Sequence, residues 1–402
     1  MRSIDCEVMR TAIVGGGAAG FFCAIELKKR CPEMEVVIFE QQRKVLAKVE
    51  ISGGGRCNCT NTFVDVSDLR QVYPRGGQLL KRLFKEFGPK DAFRWFEEHG
   101  VPLVVQEDNC VFPKAQDSHA IIDCFLHEAE ELGIIIRTNN KVESPDVLKE
   151  SYDYAVWTVG GVSDKTHAML AERVKMIPSV PSLFTFNIKN KAMNALMGTV
   201  VENAIMSIPG TKFRIQDILL ITHWGVSGPA TLKLSSHAAI YLAERKYRSP
   251  LLINWTGENN SETVKATLED IAANNAQKKL SSFRPFGLQQ RLWDYLLCKT
   301  DLDCRWGELG KKNMNRLVNT LTNDTYEIHG RAAFKDEFVT CGGVALDAIN
   351  KQTLESNEVE NLYFAGEVLD IDGITGGFNF QAAWTTAYCV AKGISDKVRK
   401  RE

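Results

Sequence analysis

The sequence contains no run of about 20 uninterrupted apolar residues, so no helix that spans a bilayer is expected. Its first eight residues carry Asp5 and Glu7 and no apolar h-region, which leaves no reading as a secretory signal and makes a cytoplasmic location the expectation. No Cys-x-x-Cys pair occurs among the 11 cysteines; Cys57 and Cys59 are the nearest two. That excludes a dithiol centre of the thioredoxin-reductase kind and favours free thiols over a disulfide framework. Charge of one sign is missing too. Lys plus Arg (49) nearly balances Asp plus Glu (50), so nothing in the net charge calls for a nucleic acid or an anionic membrane as partner. His119, His127 and His167 lack metal-ligand spacing, and no metal is expected. Gly225-Val226-Ser227-Gly228-Pro229 is not a serine-hydrolase elbow.

What is present is an ordinary globular composition, 44% hydrophobic and 25% charged, over 402 residues. That length exceeds what one small core needs and implies two or more structural units. Thr11–Val14 reads as a strand running into glycines, Phe21–Arg30 as a helix ended by Pro32, and Glu35–Glu40 as a β-branched strand closing on an acid. Further helices are predicted at Gln78–Phe87, Asp91–His99 and Ser118–Leu132, and further strands at Ile134–Arg137 and Tyr154–Val159. From about Phe184 the pattern changes to shorter strands and polar linkers. The expected division is a first part of one domain at 1–186, an inserted domain at 187–334, and the second part of the first domain at 335–402. A last strand, Asn361–Ala365, precedes a helix from about Phe378 to Gly393, with a frayed tail at Lys397–Glu402.

Three stretches carry chemistry. Gly15-x-Gly17-x-x-Gly20 lies between the first strand and the first helix, and Glu40 closes the next strand 20 residues after Gly20. In such a unit Gly15 permits the sharp turn, Gly17 lets backbone amides approach a pyrophosphate, and Gly20 lets the helix pack on the sheet. The helix N-terminus, at Ala18 and Ala19, offers unpaired N–H groups to phosphates. Glu40, with Gln41 beside it, suits an adenosine ribose. The second stretch, Ile51–Asn61, has Gly53, Gly54 and Gly55 followed by Arg56, Cys57 and Asn58, an anion-holding combination of free amides and fixed charge. The third, Leu362–Trp384, repeats strand, glycines and helix: Gly366-Glu367, then Gly376, Gly377, Phe378 and Asn379. Asp370 and Asp372 read equally as ribityl contacts or as solvated turn residues. His223, in Thr222–Pro229, is a proton-relay candidate, set against a capping role for the segment with Ser227 as N-cap. Cys57 is a thiol candidate, set against the commoner buried, inert cysteine.

Taken together, VGGGAAG (14–20), ISGGGRCN (51–58), THWGVSGP (222–229) and Tyr363–Asn379 resemble the BaiN-like bacterial flavoproteins, a family of aminoacetone-oxidase-type and NAD(P)/FAD-dependent enzymes. The resemblance runs from about residue 11 to 393. It implies an α/β fold: a glutathione-reductase-type, Rossmann-like FAD domain with an inserted domain of small β-barrel and helices. It implies FAD held by Gly15, Gly17, Ala18, Ala19, Gly20, Glu40, Gln41, Lys48, Gly53–Asn58, Gly160, Gly366, Glu367 and Gly376–Asn379. Leu46-Ala47-Lys48 keeps only the lysine of the family's Gly-Arg-Lys, and Thr158-Val159-Gly160-Gly161 replaces its Ala-Thr-Gly-Gly. No second dinucleotide turn is present, so NAD(P)H is expected to bind transiently. Three functions follow: a reductase of a small-molecule substrate fed by NAD(P)H, an oxidase of a small amine or ketone, and a non-catalytic or RNA-modification role.

Overall fold

The computed structural model describes residues 8–331 and 339–401. They form two compact units, residues 8–180 with 339–401 and residues 181–331.

The first unit is built on five parallel strands: β1 (Arg10–Val14), β2 (Glu35–Phe39), β3 (Ile135–Arg137), β4 (Tyr154–Trp157) and β5 (Leu362–Phe364). Their order across the sheet is β5-β4-β1-β2-β3. The chain therefore winds outward from β1 in both directions, the doubly wound arrangement in which ligands lie beyond the strand C-termini at the reversal point. The central strands carry continuous apolar side chains, as parallel strands covered on both faces must. Ala12 and Ile13 of β1, Val37 and Ile38 of β2 and Val156 of β4 are wholly buried.

Three helices frame the sheet's C-terminal edge: α1 (Ala18–Arg30), α2 (Ala47–Gly55) and α3 (Phe378–Arg399). Phe22 of α1 and Trp384 of α3 pack at 5.5 Å between ring centroids, and Trp95 joins Phe22 at 4.8 Å. Helix α3 does not stop at Gly393. A Cβ there would lie 2.8 Å from the Thr353 Cβ, so this glycine serves close packing inside a helix rather than ending one. Nor is the tail frayed through Arg399: the Lys397 ammonium bonds Glu355 (2.9 Å) and Asn361 (2.7 Å).

The second unit is organised on a closed six-stranded antiparallel barrel with the order Val200–Ser207, Arg214–Ile221, Gly225–Ser227, Phe186–Ile188, Asp324–Arg331, Arg248–Asn254. Helices Ser261–Asn274, Gln290–Thr300 and Gly310–Thr322 accompany it. Trp255, Trp293 and Trp306 lie in its core. Both expected layers of the fold are thus present, a Rossmann-type sheet and a small barrel. Among the described residues no helix is long and apolar enough to cross a membrane.

Candidate functional site

At the end of β1, Gly15 takes φ +115° and donates its N–H to the Phe39 carbonyl (2.8 Å). A Cβ on it would stand 2.5 Å from the Thr158 carbonyl oxygen, so the turn leaves no room for a side chain. Gly20 is tighter still, because its Cβ would overlap the Gly15 carbonyl oxygen. Gly17 differs. It caps α1 without a side-chain bond, and a Cβ on it meets nothing within 4 Å. The first N–H groups of α1, those of Ala18 and Ala19 included, have no intrahelical acceptor and face this open space with the positive end of the helix dipole. Glu40, directly after β2, is tied to the same turn: Oε2 accepts from the Gly16 N–H (2.9 Å) and Oε1 from the Gln42 N–H (2.8 Å). Gln41 between them is exposed.

The second stretch is a helix that breaks. Helix α2 runs from Ala47, but Ser52 swings to ψ 150° and Gly53, Gly54 and Gly55 take φ +57°, +70° and +83°. Three successive left-handed residues turn their amides to one side, a concavity suited to an anion. Gly54 and Gly55 have nothing within 4 Å of a Cβ position. Arg56 fastens this loop instead of pointing freely outward. Its Nε donates to the Gly53 carbonyl (3.2 Å), its Nη1 to Gln116 (3.1 Å), and its guanidinium covers the Phe112 ring at 4.3 Å. Cys57 is fully buried, and burial pushes its thiol up to about 12. At neutral pH it stays protonated and supplies no thiolate nucleophile. The Asn58 amide, oriented to satisfy both ends, donates to the Thr60 carbonyl (2.9 Å) and accepts from the Gly377 N–H (3.2 Å).

That last bond joins the second stretch to the third. Gly377 caps α3, and a Cβ on it would overlap the Thr60 carbonyl oxygen. Asn61 Nδ2 donates to the Gly376 carbonyl (3.0 Å), and the Tyr73 hydroxyl donates to the Phe378 carbonyl (2.7 Å). Asn379 clamps Gly373 by accepting from its N–H (2.8 Å) and donating to its carbonyl (2.9 Å). Gly366 abuts α1, where its Cβ would lie 2.8 Å from that of Ala19. Glu367 sits where four segments meet. Oε2 pairs with Lys48 Nζ of α2 (2.8 Å), Oε1 accepts from the Thr340 N–H (2.9 Å), and Gly160 approaches to 3.7 Å from its Cβ position.

Asp370 and Asp372 are not solvated turn residues. Asp372 is wholly buried in an ion pair with Arg75, and Asp370 accepts from the Gly342 N–H (3.1 Å) while burial pushes its carboxyl up. Both are therefore tied to other segments of the first unit, Asp372 to Arg75 and Asp370 to Gly342. Arg75 and Thr340 belong to this frame although the sequence singles out neither, and Thr158 belongs to it as well. Thr158 alone left a trace, at the end of a strand before two glycines.

The catalytic candidates part company. Cys57 lies among the turns of the first unit, whereas His223 belongs to the second, exposed between the strands Arg214–Ile221 and Gly225–Ser227 and edge-on to Trp224 at 4.4 Å. Ser227 is not the N-cap of the next helix. Gly228 is, with Pro229 at the first helical position, and the Ser227 carbonyl accepts from the Thr231 hydroxyl (2.9 Å). Among the described residues no group of three His, Cys, Asp or Glu side chains is placed to hold a metal.

The model of the HI0933-like protein Rossmann domain matches residues 9–393 of this chain. A ribosomal RNA dihydrouridine synthase from Haemophilus influenzae is 28% identical over 414 residues, covering 95% of this chain and 98% of its own. The protein of that name from Escherichia coli is also 28% identical, over 95% and 97% of the two chains. A 3-dehydro-bile acid delta(4,6)-reductase from Clostridium scindens is 24% identical over 96% and 99%. With nearly its whole length matched, the chain belongs to the HI0933-like Rossmann family, and its kinship is with the flavoproteins that its four motifs resemble.

Proposed function

We propose that this protein is an FAD-dependent oxidoreductase that takes two electrons from NAD(P)H and delivers them to a carbon–carbon double bond conjugated with a carbonyl group. The observation that carries the cofactor assignment is the pairing of closed and open glycines. Gly15, Gly20, Gly366 and Gly377 are packed against backbone or a neighbouring side chain, while Gly17, Gly54 and Gly55 border space that a Cβ could enter freely. A phosphate group fits such open ground beside helix-end amides. Gly17 and the first turn of α1 would hold the pyrophosphate, and Glu40 and Gln41 the adenosine ribose. The Gly53–Asn58 loop, Lys48, Glu367 and the Gly376–Asn379 turn would hold the ribityl and ring end. Bound FAD supplies the two-electron hydride chemistry. The chain's part is to fix that group in place and to present the N-terminal end of α3, whose dipole favours negative charge.

The acceptor class rests on the relatives. Dihydrouridine formation and a delta(4,6)-reduction both saturate such a bond, on an RNA base and on a steroid respectively. RNA gains support from a charge asymmetry hidden by the overall balance. Residues 181–338 carry 20 Lys and Arg against 15 Asp and Glu, a net of +5, while the remainder carries 29 against 35, a net of −6.

The test is anaerobic mixing of the FAD-loaded protein with NADH or NADPH, followed by uridine-containing ribosomal RNA or a conjugated dienone. Loss of the yellow absorbance on the first addition and its return on the second is expected. In a parallel aerobic arm, peroxide release from dioxygen with a small amine, together with no bleaching by either nicotinamide in the anaerobic arm, would favour the oxidase reading. No response to any of these would remove the enzymatic one.

A further inference from the structure

Just before the barrel strand Arg248–Asn254, the chain reads Arg245-Lys246-Tyr247-Arg248. Lys246 and Tyr247 both take left-handed backbone angles, φ +52° and +57°, which side-chain-bearing residues seldom do once and rarely twice running. The turn is held there by the Tyr247 N–H donating to the Leu242 carbonyl (2.7 Å) and the Lys246 N–H to the Ala243 carbonyl (2.9 Å). Arg245, Lys246 and Arg248, three cations within four residues of this turn, are all exposed. His329 stands opposite Arg248 across the ladder and is exposed as well.

Two aromatic rings are set among these cations. The Arg245 guanidinium lies 3.7 Å from the Tyr241 ring centroid, and the Arg331 guanidinium 5.4 Å from that of Tyr247. Arg245 has Glu244 at 3.5 Å, an exposed pair of little energetic weight. Lys246 and Arg248 have no carboxylate partner among the described residues. Glu327, opposite Pro250, is the nearest acid along the ladder. The turn thus combines unneutralised cations with tyrosine and guanidinium planes, in the unit that carries the positive excess. Phosphates pair with the former and unstacked bases lie against the latter.

We infer that the Arg245–Arg248 turn, with Tyr241 and His329, is a contact surface for the phosphate backbone and looped bases of an RNA substrate. This rests on the RNA-directed form of the function proposed above.

The experiment measures binding of a fluorescein-labelled RNA hairpin with a uridine-rich loop to the FAD-loaded full-length protein, by anisotropy across a salt series. The triple variant Arg245→Gln, Lys246→Gln, Arg248→Gln is expected to bind about tenfold more weakly. Its log-affinity against log-salt slope should be shallower by about 2, as the loss of three phosphate contacts on a single strand requires. Arg245→Lys with Arg248→Lys, which keeps the charge, should retain the wild-type slope. Bleaching by NADPH, a property assigned to the other unit, should be the same in all three proteins and shows that each is folded and loaded. Unchanged RNA binding by the triple variant would overturn the surface, as would equal affinity for heparin and RNA in the wild type. Absence of RNA binding in a wild-type protein that still bleaches with NADPH would remove the RNA substrate and leave the flavin reading standing.

Discussion

A methyl group added at Gly20 would run into the Gly15 carbonyl oxygen, whereas one added at Gly54 or Gly55 would meet no atom within 4 Å. The β1–α1 turn and the Gly53–Gly55 run look alike in sequence, yet they use glycine differently. In the first, Gly15 and Gly20 are demanded by the chain's own backbone packing, Gly16 is crowded by the Val45 and Glu40 side chains, and only Gly17 stands clear. In the second, the demand is conformational: three left-handed residues in succession, with open ground beside two of them. Packing glycines report the fold, whereas open glycines beside helix-end amides, as at Gly17, leave ground that a phosphate can take. Cofactor loading should therefore divide the two sets experimentally.

The largest effect belongs to Gly20→Ala. The clash is with backbone, which no side-chain rotation relieves, so destabilisation of at least about 3 kcal/mol is expected with or without FAD. Denaturant melts of the apo and loaded forms check it. A variant that melts normally without FAD and fails only to bind it would erase the distinction drawn between the two stretches.

Next comes Gly17→Ala, which the open space predicts to fold. Ala is a poorer N-cap than Gly, at a cost of up to about 1 kcal/mol. FAD retention should suffer far more, by about a hundredfold, since the new Cβ occupies ground the pyrophosphate needs. Gel filtration with absorbance readout separates loss of cofactor from loss of fold. Equal losses in both would place Gly17 with the packed glycines.

A pH test sharpens the same contrast, because the second stretch leads into Cys57. Its thiol is raised from about 9 to about 12 by burial, so the unfolded chain loses this proton first as pH rises. The stability due to the buried neutral thiol is complete below about pH 9 and falls between pH 9 and 12, by about 1.4 kcal/mol per pH unit. Cys124, Cys341 and Cys389 are raised to about 12 by burial as well, so the wild-type slope is a sum. Subtracting the Cys57→Ala slope isolates this one. Identical alkaline slopes would mean that the residue titrates normally and is open to solvent.

Much of this arrangement was legible in residues close together in sequence. The first βαβ unit declared itself because glycine spacing, β-branched strands and the acid at Glu40 all fall within about 30 residues. What escaped was set by distance or by packing. Arg75 and Asp372 lie 297 residues apart, and neither alone signals a buried pair. Gly393 looked like a helix stop because glycine often is one, but here it admits Thr353 against α3. The Gly53–Gly55 run reads as an anion-holding loop, and its glycines conceal the helical turns before it. Gly228 took the cap that Ser227 chemistry suggested, because Ser227 is committed to the barrel ladder opposite Leu220.

The smallest expected effect tests whether the stretches act together. Lys48, in the helix that leads to the glycine run, reaches Glu367 of the closing stretch at 2.8 Å. The lysine side chain is 58% exposed, so water and salt screen the pair and it contributes less than about 1 kcal/mol to folding. Lys48→Met should leave the melting curve nearly unchanged. Glu367 would then keep the Thr340 N–H and hydroxyl on Oε1, and Oε2 would lose its lysine partner. If this carboxylate positions the cofactor, FAD should dissociate a few-fold faster, and the difference from wild type should shrink as ionic strength rises and screens the wild-type pair. A loss of several kcal/mol in stability would show instead that the pair clamps the fold. No change in either quantity would leave the glycine turns to hold the cofactor without it.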